Sequence, residues 1–97
     1  MLNGLEEMFN LKYLELDSNQ IHTLIKLENM TQLNFLSLGM NIVEYLEEIQ
    51  KLTMLTYLYL GINNIKTLKG LENLMNLKTN SNRKICILQF EETFIDY

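Results

Sequence analysis

The sequence is poor in the residues that carry chemistry. Its 97 residues include no proline, one cysteine and one histidine. A single thiol, Cys86, cannot support a disulfide framework, so a reducing intracellular setting, cytoplasmic or nuclear, is expected. His22 and Cys86 lie far apart in the chain, and a Cys–His nucleophile pair needs contact in space. His22 reads as a solvated loop histidine. No glycine-rich phosphate loop, H-E-x-x-H or C-x-x-C motif occurs. The adjacent pairs Glu47-Glu48 and Glu91-Glu92 read as solvated charges. An enzyme is therefore not expected, nor a cofactor or a bound metal.

Basic residues are also scarce. Eight Lys and Arg stand against twelve Asp and Glu, and the net charge of −4 argues against a nucleic-acid surface. No apolar run approaches the length of a membrane span, so no membrane partner is expected. The opening "MLNGLEEMFN" lacks a basic n-region and a continuous apolar h-region, so no secretory signal is expected in it. The triplet Asn29-Met30-Thr31 would be a glycosylation acceptor only in a secreted chain and reads as chance.

Leucine, by contrast, is abundant, with twenty residues, and it recurs. Leu11, Leu33 and Leu55 are spaced by 22 residues. Leu14, Leu36, Leu58 and Leu16, Leu38, Leu60 follow at the same interval, and then Asn19, Asn41, Asn63. Beyond the asparagines come Ile21, Val43, Ile65, then Leu24, Leu46, Leu68, then Leu27, Ile49, Leu71, then Met30, Leu52, Leu74. Residues 11–76 are thus three full repeats. Leu2, Leu5 and Met8 fall where Leu24, Leu27 and Met30 would in a preceding copy, so residues 1–10 read as a partial N-terminal repeat.

The spacing within a unit carries physical information. Leu14 and Leu16 are two apart, the strand period, with Glu15 on the other face. From Ile21 to Leu33 the apolar step is three, which suits 3₁₀ turns or tight coil better than an α-helix of 3.6 residues per turn. A short strand, a bend at Asn and a return with period three describe one turn of a solenoid, and stacked turns bury a continuous core. Residues 43–55 also fit an amphipathic helix started by Asn41 with Glu44 as its capping-box partner.

The units "LKYLELDSNQIHTLIKLENMTQ", "LNFLSLGMNIVEYLEEIQKLTM" and "LTYLYLGINNIKTLKGLENLMN" resemble leucine-rich repeats of the 22-residue class. That class includes a regulatory subunit of protein phosphatase 1 and the internalins. The resemblance covers residues 2 to about 77 and implies an α/β-type leucine-rich repeat solenoid. Short parallel strands would line its concave face, and 3₁₀, coil or short helical turns its convex face.

Two sets of residues follow from this pattern. Asn19, Asn41 and Asn63 are expected to form a structural ladder, because one amide offers an acceptor and two donors to backbone groups that leave regular pairing. The outward strand positions are candidates for protein binding: Tyr13, Phe35 and Tyr57; Glu15, Ser37 and Tyr59; Asp17; and Met40 and Ile62. Exposed aromatic patches mark interaction surfaces. A bland reading places the same aromatics as cross-strand pairs that stabilise the sheet.

A non-catalytic protein-interaction module is expected, and the resemblance implies a protein phosphatase catalytic subunit as one candidate partner. Gly39 and Gly61 depart from a charged column in that family. The register fails after Leu77, and residues 77–97 read as a divergent tail or cap, with a weak strand signal in "ICILQF". The alternative is a truncated repeat fragment with no independent function, prone to self-association through uncapped ends.

Overall fold

The computed structural model describes Gly4, residues 7–75 and residues 84–86. The half-repeat positions Leu2 and Leu5, and the tail on either side of 84–86, lie outside the described residues. Four three-residue strands, β1 (Tyr13–Glu15), β2 (Phe35–Ser37), β3 (Tyr57–Tyr59) and β4 (Lys84–Cys86), form one parallel sheet in that order. The register follows the repeat: Leu14 pairs with Leu36 and Leu36 with Leu58. At β4 it shifts, and Ile85 faces Leu58 where the 22-residue interval would place Asn80. The register partner of Leu58 is thus an apolar residue rather than a member of the polar stretch 78–83.

The strands are short because each coil alternates only once before its bend. Leu14, Leu36 and Leu58 point inward and are buried, the last two completely. The ladder of hydrogen bonds runs past the strand ends. Leu16 N–H donates to Ser37 O at 2.9 Å, and Leu38 N–H to Tyr59 O at 2.9 Å.

At the bend, backbone groups lose strand partners and asparagine side chains take them. Asn41 is 6% exposed. Its Oδ1 accepts the N–H groups of Asn19 at 3.0 Å and Ile21 at 2.9 Å, both on the preceding coil. Its Nδ2 donates to Leu38 O and Gly39 O of its own coil and to Leu16 O of the one before. Asn63 repeats this one coil on, accepting Val43 N–H at 2.9 Å and donating to Leu38 O at 2.9 Å. Asn19, half-buried on the first coil, donates to Leu16 O and Asp17 O. Buried backbone groups left unpaired would cost about 1–3 kcal/mol each, so these amides hold adjacent coils together.

The return path shows why its apolar residues recur every third position. Leu27 N–H donates to Leu24 O, Met30 N–H to Leu27 O and Leu33 N–H to Met30 O, at 2.9, 3.0 and 3.2 Å. The second coil repeats this through Leu46, Ile49, Leu52 and Leu55. Each i→i+3 bond turns the chain once and returns a side chain to the same inward row. The 3₁₀ segments proper are Ile25–Leu27 and Glu47–Ile49. The amphipathic helix that residues 43–55 also fit does not form, because a 3.6-residue period would rotate Ile49 and Leu52 off the core. One α-helical turn, α1 (Glu72–Met75), closes the third return. The inward rows, from Leu14 to Leu74, make one continuous apolar cluster.

Gly70 marks a close approach between coils. Its φ is +102°, and a Cβ there would lie 2.8 Å from the Glu47 backbone. Only glycine combines that conformation with that clearance.

Candidate functional site

The outward side chains of the strands share one sheet face. Tyr13, Phe35 and Tyr57 are register partners, and their rings stack in a column. The centroids are 4.1 and 4.3 Å apart and the ring planes are tilted by 8° and 2°. Parallel strands in register set this spacing, since neighbouring strands lie about 4.8 Å apart and equivalent side chains point the same way. Tyr13 is 59% exposed, while Phe35 and Tyr57 are half-buried by their neighbours. The column is therefore a cross-strand stack whose first ring, Tyr13, is exposed.

The Tyr13 hydroxyl donates to Glu15 Oε2 at 3.3 Å. The Tyr13 hydroxyl is held above its usual pKa, first by partial loss of water around the ring. The Glu15 charge, its hydrogen bond, and the more distant Tyr57 and Asp17 act in the same direction.

Next to the stack, Tyr59 lies across two glycines. A Cβ on Gly39 would sit 2.5 Å from a Tyr59 ring carbon, and one on Gly61 would meet the Tyr59 hydroxyl oxygen. The ring thus occupies the space that side chains at 39 and 61 would need. Sequence reasoning took these glycines only as gaps in a charged column. The usable signal was their coincidence with Tyr59, a large residue two positions before Gly61 and one coil after Gly39.

Asp17 is likewise engaged. Its Oδ1 accepts the Ser37 hydroxyl at 2.8 Å and the Gly39 N–H at 2.7 Å. Ser37, expected to face a partner with the other strand positions, is 5% exposed and committed to Asp17. The correction has a simple cause: the short hydroxyl reaches back to Asp17 of the preceding coil instead of outward. Asp17 and Tyr59 are half-buried, and Glu15 is exposed.

Met40 and Ile62 sit at the rim, one residue before Asn41 and Asn63. With Ser18 they share a left-handed backbone, φ being 61°, 56° and 60° at Ser18, Met40 and Ile62. That conformation costs an L-residue roughly 1–2 kcal/mol and is worst for a β-branched side chain such as Ile62. Met40 is 57% exposed and Ile62 half-exposed.

On the return side, His22 Nε2 lies 3.3 Å from Glu44 Oε1, at the same repeat position one coil apart. His22 is exposed, as a solvated loop residue would be. Among the described residues no group of His, Cys, Asp and Glu could hold a metal ion, and no helix is long and apolar enough to cross a membrane.

Strand, asparagine bend and period-three return, repeated in register, define a leucine-rich repeat fold. Comparison with solved structures agrees. The chain is similar to internalin C2 of Listeria monocytogenes, with 38% identity over 75% of this chain and a TM-score of 0.72. It is also similar to internalin F of the same organism, with 25% identity over 94% of this chain and a TM-score of 0.74. This chain spans about a third of the length of each, 32%. No protein-family model and no curated protein sequence matches it.

Proposed function

We propose that the protein is a non-catalytic module that binds a protein partner through the strand face of its repeats. The observation that carries this reading is the aromatic column Tyr13–Phe35–Tyr57, continuous over three coils and open to solvent at Tyr13. Aromatic side chains supply much of the contact energy of protein interfaces. The leucine-rich repeat fold, shared with the internalin structures, supports the same reading. Among protein partners, the finer reading is a phosphatase catalytic subunit. Tyr13, Phe35, Tyr57, Glu15 and Asp17 support it, and the neutral Gly39 and Gly61 do not. The lone cysteine favours a reducing compartment for the encounter.

The test uses a library of displayed random peptides selected on the chain, followed by binding to a variant carrying Tyr13→Ala, Phe35→Ala and Tyr57→Ala. Loss of binding with unchanged circular dichroism supports the proposal. Retained binding by a folded variant overturns it.

A second reading is a segment of a longer array that acts only with further coils, supported by the third of each internalin structure that this chain spans. Hydrogen exchange separates the two, since such a segment would be protected only in its middle coil. Self-association through the outer edge of β1, which pairs with no second strand among the described residues, would show as a dimer in size-exclusion chromatography.

A further inference from the structure

The left-handed rim contains a conflict between local preference and sequence. Ser18, Met40 and Ile62 hold the same backbone conformation in three successive coils. Coil stacking imposes it. Ser18 N–H donates to Gly39 O at 2.9 Å and Met40 N–H to Gly61 O at 2.8 Å, extending the sheet ladder to the point where the chain bends into its asparagine. Glycine or asparagine would meet that demand with least strain. The sequence instead places methionine and isoleucine there.

Packing does not account for the choice. Met40 is 57% exposed and takes no part in the apolar cluster, and neither does Ile62. The one described side-chain partner of Met40 is the Ser18 hydroxyl, 3.7 Å from its sulfur. Strained backbone positions persist where the surrounding structure over-determines them, and they cluster at functional sites.

Charge beside the rim narrows the occupant. Asp17 immediately precedes Ser18, and Glu15 lies two positions earlier on the same face. Among the described residues neither carboxylate is in an ion pair; Asp17 accepts from Ser37 and Gly39 through Oδ1 alone, and Glu15 from the Tyr13 hydroxyl through Oε2 alone. An extended chain crossing the rim would meet apolar surface at Met40 and Ile62 and negative charge at Asp17 and Glu15.

We propose that Met40 and Ile62 are apolar anchors for an extended segment of a protein partner. That segment pairs an aliphatic side chain with an adjacent lysine or arginine, which meets Asp17 and Glu15. This rests on the strand-face binding reading and adds the rim and the chemistry of the ligand.

Displayed random peptides selected on the full chain supply the probe, and the enriched peptides are then synthesised. Their affinities are measured for the unmodified chain, for Met40→Asn, for Met40→Asn with Ile62→Asn, and for Tyr13→Ala with Phe35→Ala. The expected motif is Lys or Arg next to Leu, Ile or Met. The double rim variant should bind about tenfold more weakly or worse, with a melting temperature no lower than that of the parent. Met40→Asn alone, at an exposed position, should show part of that loss and guards against a folding artefact at Ile62. Glu15→Gln should weaken binding and flatten its salt dependence. Peptides that lack the basic–aliphatic pair, or rim variants that bind like the parent, overturn the inference. If they do so while Tyr13→Ala with Phe35→Ala abolishes binding, the strand-face reading stands without the rim. No enrichment on the unmodified chain overturns both.

Discussion

The side-chain oxygen of Asn41 lies 3.0 Å from the backbone nitrogen of Asn19, so the side chain of Asn41 serves the bend of the preceding coil as well as its own. Asn41→Ala would strand the N–H groups of Asn19 and Ile21. The expected loss is about 1–3 kcal/mol of stability, read by denaturant unfolding. Asn64, the exposed neighbour of Asn63, should tolerate alanine with a change within about 0.5 kcal/mol. Equal losses at the two positions would remove the ladder from the account of stability.

Tyr59 and the glycines beneath it should behave as one unit. Gly61→Ala is expected to push the ring off the face and cost about 1–3 kcal/mol, as overpacking does. In a Tyr59→Ala background the same substitution should be nearly neutral. Additive losses in that double-mutant cycle would show that the glycine answers to something other than the ring.

Phe35 stacks on both sides, and its two neighbours on one side each along the described column. Phe35→Leu keeps an apolar side chain but removes two ring–ring contacts. A loss of about 1–3 kcal/mol is expected, at roughly 0.5–1.5 for each stacked pair. Tyr13→Leu should cost about half as much. Thermal melts of the two variants provide the comparison.

The raised pKa of Tyr13 has a defined sign in stability. The folded chain holds the phenolic proton more tightly than the unfolded chain, so the contribution is fully present below the ordinary tyrosine value of about 10. It is lost as pH rises through the higher folded value. Carbon NMR of labelled tyrosine should show Tyr13 titrating above that ordinary value, and Glu15→Gln should lower its midpoint. An unchanged midpoint would leave Glu15 without a role in the shift.

Relief of backbone strain should be visible at Met40 even without a ligand. Met40→Asn replaces an exposed apolar side chain by one that tolerates φ near +60°. A gain of about 1 kcal/mol is expected in chemical unfolding, and a loss of that size would contradict the strain.

Most of the fold was legible because the repeat makes each inward residue appear three times. Leu14, Leu36 and Leu58 could be assigned to one buried row from their interval alone, and the period-three return followed from Leu24, Leu27 and Met30. The face was legible only in part. Outward positions were read from alternation, which tells that Ser37 leaves the core but not that its hydroxyl is committed to Asp17. The left-handed rim was illegible because the residues there, serine, methionine and isoleucine, are not those that signal such a bend. The shift at β4 lay beyond the interval, since Ile85 pairs with Leu58 at a separation five residues longer than the 22-residue rule provides.

The Tyr59 ring also gives the coils an order. Stacking by hydrogen bonds at a constant interval would let any coil sit on any other, and deleting residues 33–54 would bring β3 directly against β1 with its backbone ladder intact. That shortened chain would set the ring over Asp17 in the place that Gly39 now leaves open. The second coil is therefore an obligatory spacer, and the array cannot be shortened by that unit without also changing residue 17 or 59.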